Sequence, residues 1–178
     1  MKTIRRIGTA LGVAKLTKDF LDFSDTQTQI TARLNLMNDG LQTTDQLSEM
    51  IYQSALRSKS AHSDTADAVG KIGLNAKNAF SSNQELIAFT EQVNKQFKIG
   101  GASAQEQANA MVQLTQAMAA GVLRGQDLNS ILAAAPGIAR TIEESMGWAS
   151  GSIKQYAEDG KVTAQVVKNA LLLSLIHI

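Results

Sequence analysis

Apolar residues between positions 13 and 41 recur with the spacing of a coiled-coil helix. The intervals alternate between three and four residues, at Val13, Leu16, Phe20, Phe23, Ile30, Leu34, Met37 and Leu41, with Gln27 in the one remaining position. Heptad spacing of this kind keeps one narrow apolar stripe on a single side of a helix. The pattern predicts a long helix over these residues, with the stripe facing a partner helix.

Two partners are compatible with this heptad stripe: the rest of the same domain, or the same stripe of a second copy. The narrowness of the stripe favours the second copy. Gln27 falls at an a position, where a polar residue can fix the register of a coiled coil. Asp19 and Arg33 are the charged residues at the flanking e and g positions, so charge specifies register weakly. We expect self-association through helices to form a homo-oligomer.

Helix-start and helix-stop signals divide the rest of the chain into short helices. Capping boxes, in which Ser or Thr is followed three residues later by Glu or Gln, occur at Thr43, Ser82 and Ser103. A polar segment at residues 58–64 separates two helices, and Asp64 and Asp67 are expected in the first turn of the second one, where the helix dipole favours carboxylates. Four short elements are predicted to finish the chain, at residues 127–135, 138–146, 152–158 and from 163 onward.

These patterns predict an all-α fold, with a long N-terminal heptad helix followed by a compact bundle of short helices. We divide the chain into a helical, coiled-coil lead-in at residues 1–60 and a compact helical domain at residues 61–172, whose most tightly folded part is residues 86–172. The side chains expected inside that part are Phe89, Val93, Phe97, Met111, Leu114, Leu128, Leu132, Ile138, Ile142, Trp148 and Tyr156.

The last six residues, 173–178, break the polar-rich pattern that precedes them. They read Leu-Ser-Leu-Ile-His-Ile, which is the in-frame translation of a transposon-end adapter used to build sequencing libraries. A natural apolar helix end is the alternative. We expect residues 173–178 to be adapter translation and exclude them from the fold and function argument.

Composition excludes several classes of function. The 178 residues carry a formal net charge of +1, so no surplus of Lys and Arg is available to neutralise a row of phosphates, and nucleic-acid binding is not expected. The absence of Cys removes disulfides, thiolate nucleophiles and Cys-ligated zinc. No apolar run approaches the roughly 20 residues that span a bilayer. We therefore expect no membrane span.

The residues that could carry chemistry do not form a persuasive arrangement. The two histidines are His62, in a polar segment, and His177, in the suspected adapter. Two acidic pairs, at residues 143–144 and 158–159, are interpreted as solvated charge on helix surfaces. The glycines of residues 70–77 lack the spacing of a phosphate-binding loop. We predict no catalytic, cofactor-binding or metal-binding residue and no enzyme activity.

An ordered series of motifs over residues 86–172 resembles the tape measure domain of phage and prophage tail length tape measure proteins. The series is GGASAQE at residues 100–106, LTQAMAAG at 114–121, LRGQDLNSILAAAPG at 123–137 and GKVT at 160–163. The upstream stretch DTQTQITARLNLMNDG, residues 25–40, is similar to the segment that precedes this domain in the family. Each motif alone is weak, but their order and spacing together are specific.

The resemblance implies a structural scaffold and not an enzyme. In this family a long helical protein lies inside the growing tail tube and its length sets that of the tube. The implied partners are further copies of the chain, the tail tube protein and the tail assembly chaperone; the implied locations are the virion tail and, during assembly, the host bacterial cytoplasm. The family is also linked to genome delivery. The heptad stripe leaves one alternative, a cytoplasmic coiled-coil signalling or interaction module.

Overall fold

The structure, a computed structural model, describes residues 24–174 of the chain, and within that range the fold is helical. The helices are α1 (residues 24–37), α2 (Thr44–Ser58), α3 (His62–Asn75), α4 (Asn83–Gly100), α5 (Ala104–Ala120), α6 (Gly125–Ala134), α7 (Pro136–Met146), α8 (Ile153–Glu158) and α9 (Ala164–Leu173), with a 3-10 turn at Lys77–Ala79 between α3 and α4. The same residues contain no strand beyond an isolated antiparallel bridge between Val122 and Thr163. The all-α prediction is confirmed for the described part of the chain.

The predicted capping residues begin the helices where the sequence places them. Thr43 and Ser103 each form a complete capping box, with Gln46 and Glu106 as the reciprocal partners. Ser82 accepts the backbone N–H of Glu85, but the Glu85 carboxylate bonds to Ser81 instead of closing the box. Local signals therefore set these helix starts correctly, with one difference in side-chain pairing.

Helix α4 lies at the centre of the bundle. It is packed against α2, α3, α7 and α9, and its buried residues lie around most of its circumference: Asn83, Leu86, Ile87, Phe89, Thr90, Glu91, Gln92, Val93, Asn94 and Phe97. A helix buried on most sides forms the middle of a core, whereas a surface helix buries a single stripe.

Seven of the eleven side chains predicted inside the bundle are buried: Phe89, Val93, Phe97, Leu114, Leu128, Ile138 and Ile142. Met111, Leu132, Trp148 and Tyr156 are half-buried and pack against the core. The Trp148 and Tyr156 rings stack with centroids 3.9 Å apart, so this aromatic pair covers the core edge beside α8.

The core also includes residues that precede position 61. Ile30, Leu34 and Met37 of α1 and Leu47 and Ile51 of α2 belong to the same buried cluster as the residues of α4 to α9. The helical lead-in and the compact bundle therefore share one hydrophobic core within residues 24–174.

The end of the predicted heptad helix is wrong. Helix α1 ends at Met37, and Leu41 lies in the following loop with 79% of its surface exposed. The loop is held instead by short-range polar contacts, since Asn38 donates to the carbonyl of Gln42 and Asp39 accepts the backbone N–H of Leu41. The first four stripe positions, Val13 to Phe23, lie outside the described residues.

The two adjacent glycines at the end of α4 have different roles. Gly101 has φ +72° and ends α4, as expected from its freedom to adopt a left-handed conformation. Gly100 is still helical, and a Cβ there would lie 2.5 Å from the carbonyl oxygen of Ala134. Gly100 is therefore required by the close approach of α4 to the junction of α6 and α7.

Candidate association surface

The best candidate for a functional surface is the heptad stripe of α1, and the structure shows what covers it. Ile30, Leu34 and Met37 are 4%, 2% and 2% exposed, while Gln27 is half-buried. Leu36, on the other side of the helix, is 73% exposed. Helix α1 thus buries one narrow stripe in its own domain and leaves its opposite side in solvent.

Helix α1 packs closely against α3 at two glycines of α3. A Cβ at Gly70 would lie 3.2 Å from the Cβ of Arg33, and one at Gly73 would lie 2.7 Å from the Sδ of Met37. A Cβ at Gly70 would require a shift of a few tenths of an ångström at Arg33, and one at Gly73 would require the end of the Met37 side chain to move. Residues 70 and 73 are three apart and therefore lie on one face of α3, where they form a shallow groove for α1.

An ion-pair network closes the edge of this groove. Arg33 of α1 pairs with Asp67 of α3, and Asp67 also accepts Lys71 Nζ at 2.6 Å. The side chains of Arg33 and Asp67 keep 30% and 33% of their surface exposed, so solvent screens the pair. The predicted role of Asp67 in the first helical turn is wrong; Asp64 occupies that turn. Asp67 lies one turn further on and joins two helices instead.

The loop after α1 is fixed to the start of α4 by Asp39. Its Oδ2 accepts the backbone N–H of Asn83 at 2.9 Å, and its Oδ1 accepts that of Leu41 at 3.0 Å. Burial alone would raise the pKa of Asp39, but these two hydrogen bonds and one from Gln42 hold it below its ordinary value of 3.8. Asp39 is therefore charged at neutral pH and acts as an additional cap for α4.

An open cleft of about 500 Å³ adjoins this loop. It lies between the loop, the outer side of α2 and the start of α4, and its lining is Asp39, Leu41, Gln42, Gln46, Glu49, Met50, Ser82 and Gln84. The lining contains two carboxylates, those of Asp39 and Glu49, and no basic, thiol or imidazole group.

Deeper in the bundle, Glu91 joins α2 to α4. It is 5% exposed, and its two carboxylate oxygens accept Arg57 Nη2 at 2.7 Å and Lys95 Nζ at 2.8 Å. Burial would raise the pKa of Glu91, but hydrogen bonds from Arg57 and Lys95 and their charges bring it below the ordinary value of 4.5. The same contact raises the pKa of Arg57. Glu91 is thus a buried carboxylate paired with two cations that remain partly exposed.

A second ion pair connects α4 to α9. Lys168 of α9 is 6% exposed and donates to Glu85 of α4, with Nζ and Oε1 2.9 Å apart. Burial raises the pKa of Glu85, and hydrogen bonds from Ser81 and Lys168 outweigh that effect and lower it. The pair holds the last described helix against the central one.

The acidic pairs interpreted as solvated charge differ from each other. Glu144 and Glu158 are exposed, and Asp159 pairs with Lys161 at 3.2 Å. Glu143 corrects that interpretation, because it is 4% exposed and accepts the backbone N–H of Ile153 at the start of α8. Nothing in the local sequence distinguishes the two neighbours, since the burial of Glu143 depends on a helix ten residues away.

The remaining side chains that could take part in chemistry do not lie together in one site. His62 begins α3 and contacts the Tyr52 ring edge-on, with centroids 5.7 Å apart. Over residues 24–174 there is no group of three or more His, Cys, Asp or Glu side chains that could hold a metal ion. In the same range no helix has the length and apolar character needed to cross a membrane.

Comparison with known proteins gives one family. No curated protein and no solved structure matches the chain. The family model described as tape measure protein matches residues 18–175, which include all of α1 to α9 and most of the chain. This agrees with the motifs at residues 100–106, 114–121, 123–137 and 160–163, which cover the turn between α4 and α5, the second half of α5, the whole of α6 and the turn before α9. The chain belongs to the tape measure proteins, a family of structural proteins of phage tails.

Proposed function

We propose that residues 24–174 form a folded module of a scaffold that sets the length of a phage tail tube, and that this module anchors the scaffold without adding much to its length. The match of the tape measure family over residues 18–175 carries the proposal. The same match favours a tail protein over the alternative of a coiled-coil signalling module, because the matched range includes the heptad stripe of α1 as well as the bundle.

The geometry of the bundle supports an anchoring role. An extended α-helix advances about 1.5 Å per residue, so the 151 residues from 24 to 174 would span about 230 Å as one continuous rod. The longest helix within residues 24–174, α4, has 18 residues, and the neighbouring helices pack beside it. A compact domain of this size is about 40 Å across. Folding therefore removes most of the length that the same residues could have contributed.

The proposed partners follow from assembly inside a tail. Further copies of the chain would associate through the heptad stripe, and tail tube and assembly chaperone proteins would surround the extended parts of the scaffold. The module would be found in the virion tail and, during assembly, in the host bacterial cytoplasm. The exposed half of α1 and the cleft beside α2 offer accessible surface for such contacts.

Tail length provides the test. A second copy of residues 24–174 would be inserted in tandem into the complete tape measure protein of the phage, and tail lengths would be measured by electron microscopy. We expect the tail to lengthen by about 40 Å or less, because the extra module folds. As a control, an insertion of 151 residues of uninterrupted helix should lengthen it by about 230 Å.

Two results would contradict the proposal. Lengthening by the full rod value on insertion of residues 24–174 would show that the bundle opens in the tail and acts as part of the ruler. No change of tail length with either insertion would show that the chain does not set the length of the tube.

A further inference from the structure

The sequence contains two Asp-Gly pairs and no Asn-Gly pair. They are Asp39–Gly40, in the loop after α1, and Asp159–Gly160, in the turn between α8 and α9. In such a pair the backbone nitrogen of the glycine can attack the side-chain carboxyl carbon of the aspartate, because glycine has no side chain to obstruct the approach and its backbone turns freely. The two pairs share this local chemistry, so a difference between them is expected to come from the fold.

We propose that Asp159 is a site of spontaneous isomerisation to isoaspartate in the folded chain, and that the fold protects Asp39 from the same reaction. The Gly160 nitrogen bonds to Cγ of Asp159, and the carboxyl hydroxyl and the amide proton leave as water, which gives a cyclic succinimide. Water then opens the ring. Opening at the main-chain carbonyl leaves isoaspartate, whose main chain runs through the former side chain, and opening at the other carbonyl restores aspartate.

The carboxylate of Asp159 is held weakly. Its side chain is 42% exposed, and it pairs with Lys161 Nζ at 3.2 Å. An ion pair this exposed to solvent contributes little to stability. The carboxylate can therefore leave Lys161 and turn toward Gly160 at a small cost in free energy.

The backbone at Asp159 can open locally, as ring closure requires. Its ψ angle of −3° is helical, and at this angle its Cβ and the Gly160 nitrogen are not eclipsed about the Cα–C bond, as a five-membered ring needs them to be. Rotation about this bond breaks two hydrogen bonds, from Gly160 N–H to the carbonyl of Ala157 at 3.0 Å and from Lys161 N–H to that of Tyr156 at 2.8 Å. Both lie at the end of α8, a helix of six residues, and helix ends fray.

The carboxylate of Asp39 is held by three hydrogen bonds. Its Oδ2 accepts the backbone N–H of Asn83 at 2.9 Å, and its Oδ1 accepts the backbone N–H of Leu41 at 3.0 Å and Nε2 of Gln42 at 2.8 Å. All three must break before Cγ can turn toward Gly40, and α4 then loses its additional cap. Hydrogen bonds to a charged group contribute more than those between neutral groups, so this opening costs more than the one at Asp159.

The carboxylates, and not the attacking nitrogens, distinguish the two sites. Gly40 N–H donates to Asn38 Oδ1 and Gly160 N–H to the carbonyl of Ala157, both at 3.0 Å. Burial alone would raise the pKa of Asp39, but its hydrogen bonds hold it below the ordinary value of 3.8. Because the carboxyl must be protonated to lose water, the lowered pKa slows the reaction of Asp39 further.

Peptide mapping of the aged protein tests the proposal. The folded 178-residue chain would be kept at neutral pH and physiological temperature, and samples would be digested and analysed by chromatography and mass spectrometry. A succinimide peptide is lighter by one water, and an isoaspartate peptide has an unchanged mass, elutes separately and resists a protease that cleaves before aspartate. We expect isomerisation at Asp159 at least about tenfold faster than at Asp39, since breaking one hydrogen bond to a charged group already changes the open population by about that factor. No reaction at Asp159, or equal rates at the two sites, would overturn the proposal.

The unfolded chain separates the effect of the fold from that of the local sequence. In guanidinium chloride both sites lose their contacts, and we expect Asp39 and Asp159 to react at similar rates. A preference for Asp159 as large as in the folded chain would show that neighbouring residues set it, and would overturn the protection of Asp39 by the fold.

Two variants examine the sites one at a time. Asp159→Glu keeps the negative charge but can close only a six-membered ring, which forms far more slowly, so the products assigned to this site should disappear. Products that persist in this variant would exclude Asp159 as their source. Gln42→Ala removes one of the three hydrogen bonds of Asp39 and should speed its isomerisation by about two- to tenfold. An unchanged rate at Asp39 would contradict its protection by these bonds.

Discussion

Helices α4 and α1 bury their apolar residues in different ways. Helix α4 has ten buried residues spread around it and contacts four other helices. The described part of α1 buries Ile30, Leu34 and Met37 along one stripe, and the glycines of α3 lie close to its Arg33 and Met37. A helix enclosed by the core can detach only when the whole domain unfolds. A helix that is packed on one side can detach by local unfolding. The difference predicts that α1 opens at a lower cost in free energy than α4.

The largest effect is expected at the centre of α4. Phe89 is completely buried and touches the Phe80 ring, with centroids 5.2 Å apart. Phe89→Ala should lower the free energy of unfolding by about 3–5 kcal/mol, because it leaves a cavity among helices that cannot close around it. Urea unfolding followed by circular dichroism measures this loss. Leu36→Ala, at an exposed site of α1, is the control and should change it by less than about 0.5 kcal/mol. Similar losses for both variants would contradict the central role of α4.

A smaller and more local effect is expected in α1. Leu34→Ala should destabilise the chain by about 2–3 kcal/mol, at the low end for a buried Leu, because a helix covered on one side can shift to fill the space. Hydrogen exchange should become faster in the amides of α1 and stay slow in those of α4. Equal loss of protection in both helices would show that α1 does not open independently. The same burial means that Leu34→Asp would disrupt the core as well as any association, and so cannot separate the two.

The smallest effect concerns the ion pair that attaches α2 to α4. Glu91 has a pKa below its ordinary value of 4.5, so its stabilising contribution is complete above that value and is lost as the pH falls through the lower folded pKa. Glu91→Gln should cost about 1–2 kcal/mol at neutral pH, since Arg57 and Lys95 remain partly exposed and are screened by solvent.

The pH dependence provides the specific signature of Glu91. Between pH 7 and pH 3, the natural chain should lose more stability than the Glu91→Gln variant, as measured by urea midpoints at each pH. Glu144→Gln, which removes an exposed carboxylate of α7, is the matched control and should keep the pH dependence of the natural chain. Parallel pH curves for the natural chain and Glu91→Gln would mean that the ion pair contributes nothing.

Features determined by neighbouring residues were predictable from the sequence. The capping residues Thr43, Ser82 and Ser103 begin helices, and Gly101 ends one, because the residues that satisfy the free backbone groups lie within one turn. Apolar spacing also identified Phe89, Val93 and Phe97 as one buried face, since i, i+4 and i+8 positions coincide on a helix.

Features that depend on distant residues were not predictable from a single sequence. The ion-pair partner of Asp67, Arg33, is 34 residues away in the sequence. The residues next to Asp67 show only that it is near the start of a helix, and this position suggested a capping role. Gly70 and Gly73 were identifiable as glycines, but only the approach of α1 shows why they lack side chains. The heptad spacing correctly predicted which residues of α1 lie on one side of the helix. The same spacing occurs in a helix that packs on its own domain and in one that pairs with a second chain, so it does not identify the partner.

The Glu85–Lys168 pair has a consequence for synthesis of the protein. Helix α4 ends at Gly100, but α9, which contributes Lys168 and the buried Val167, Ala170 and Leu171, is completed about 70 residues later. Ribosomes add about 5–20 residues per second, so the face of α4 that α9 covers stays open for about 4–15 s after α4 has been made. The module therefore cannot close while it is being translated, and its last helix sets the time at which the core becomes complete.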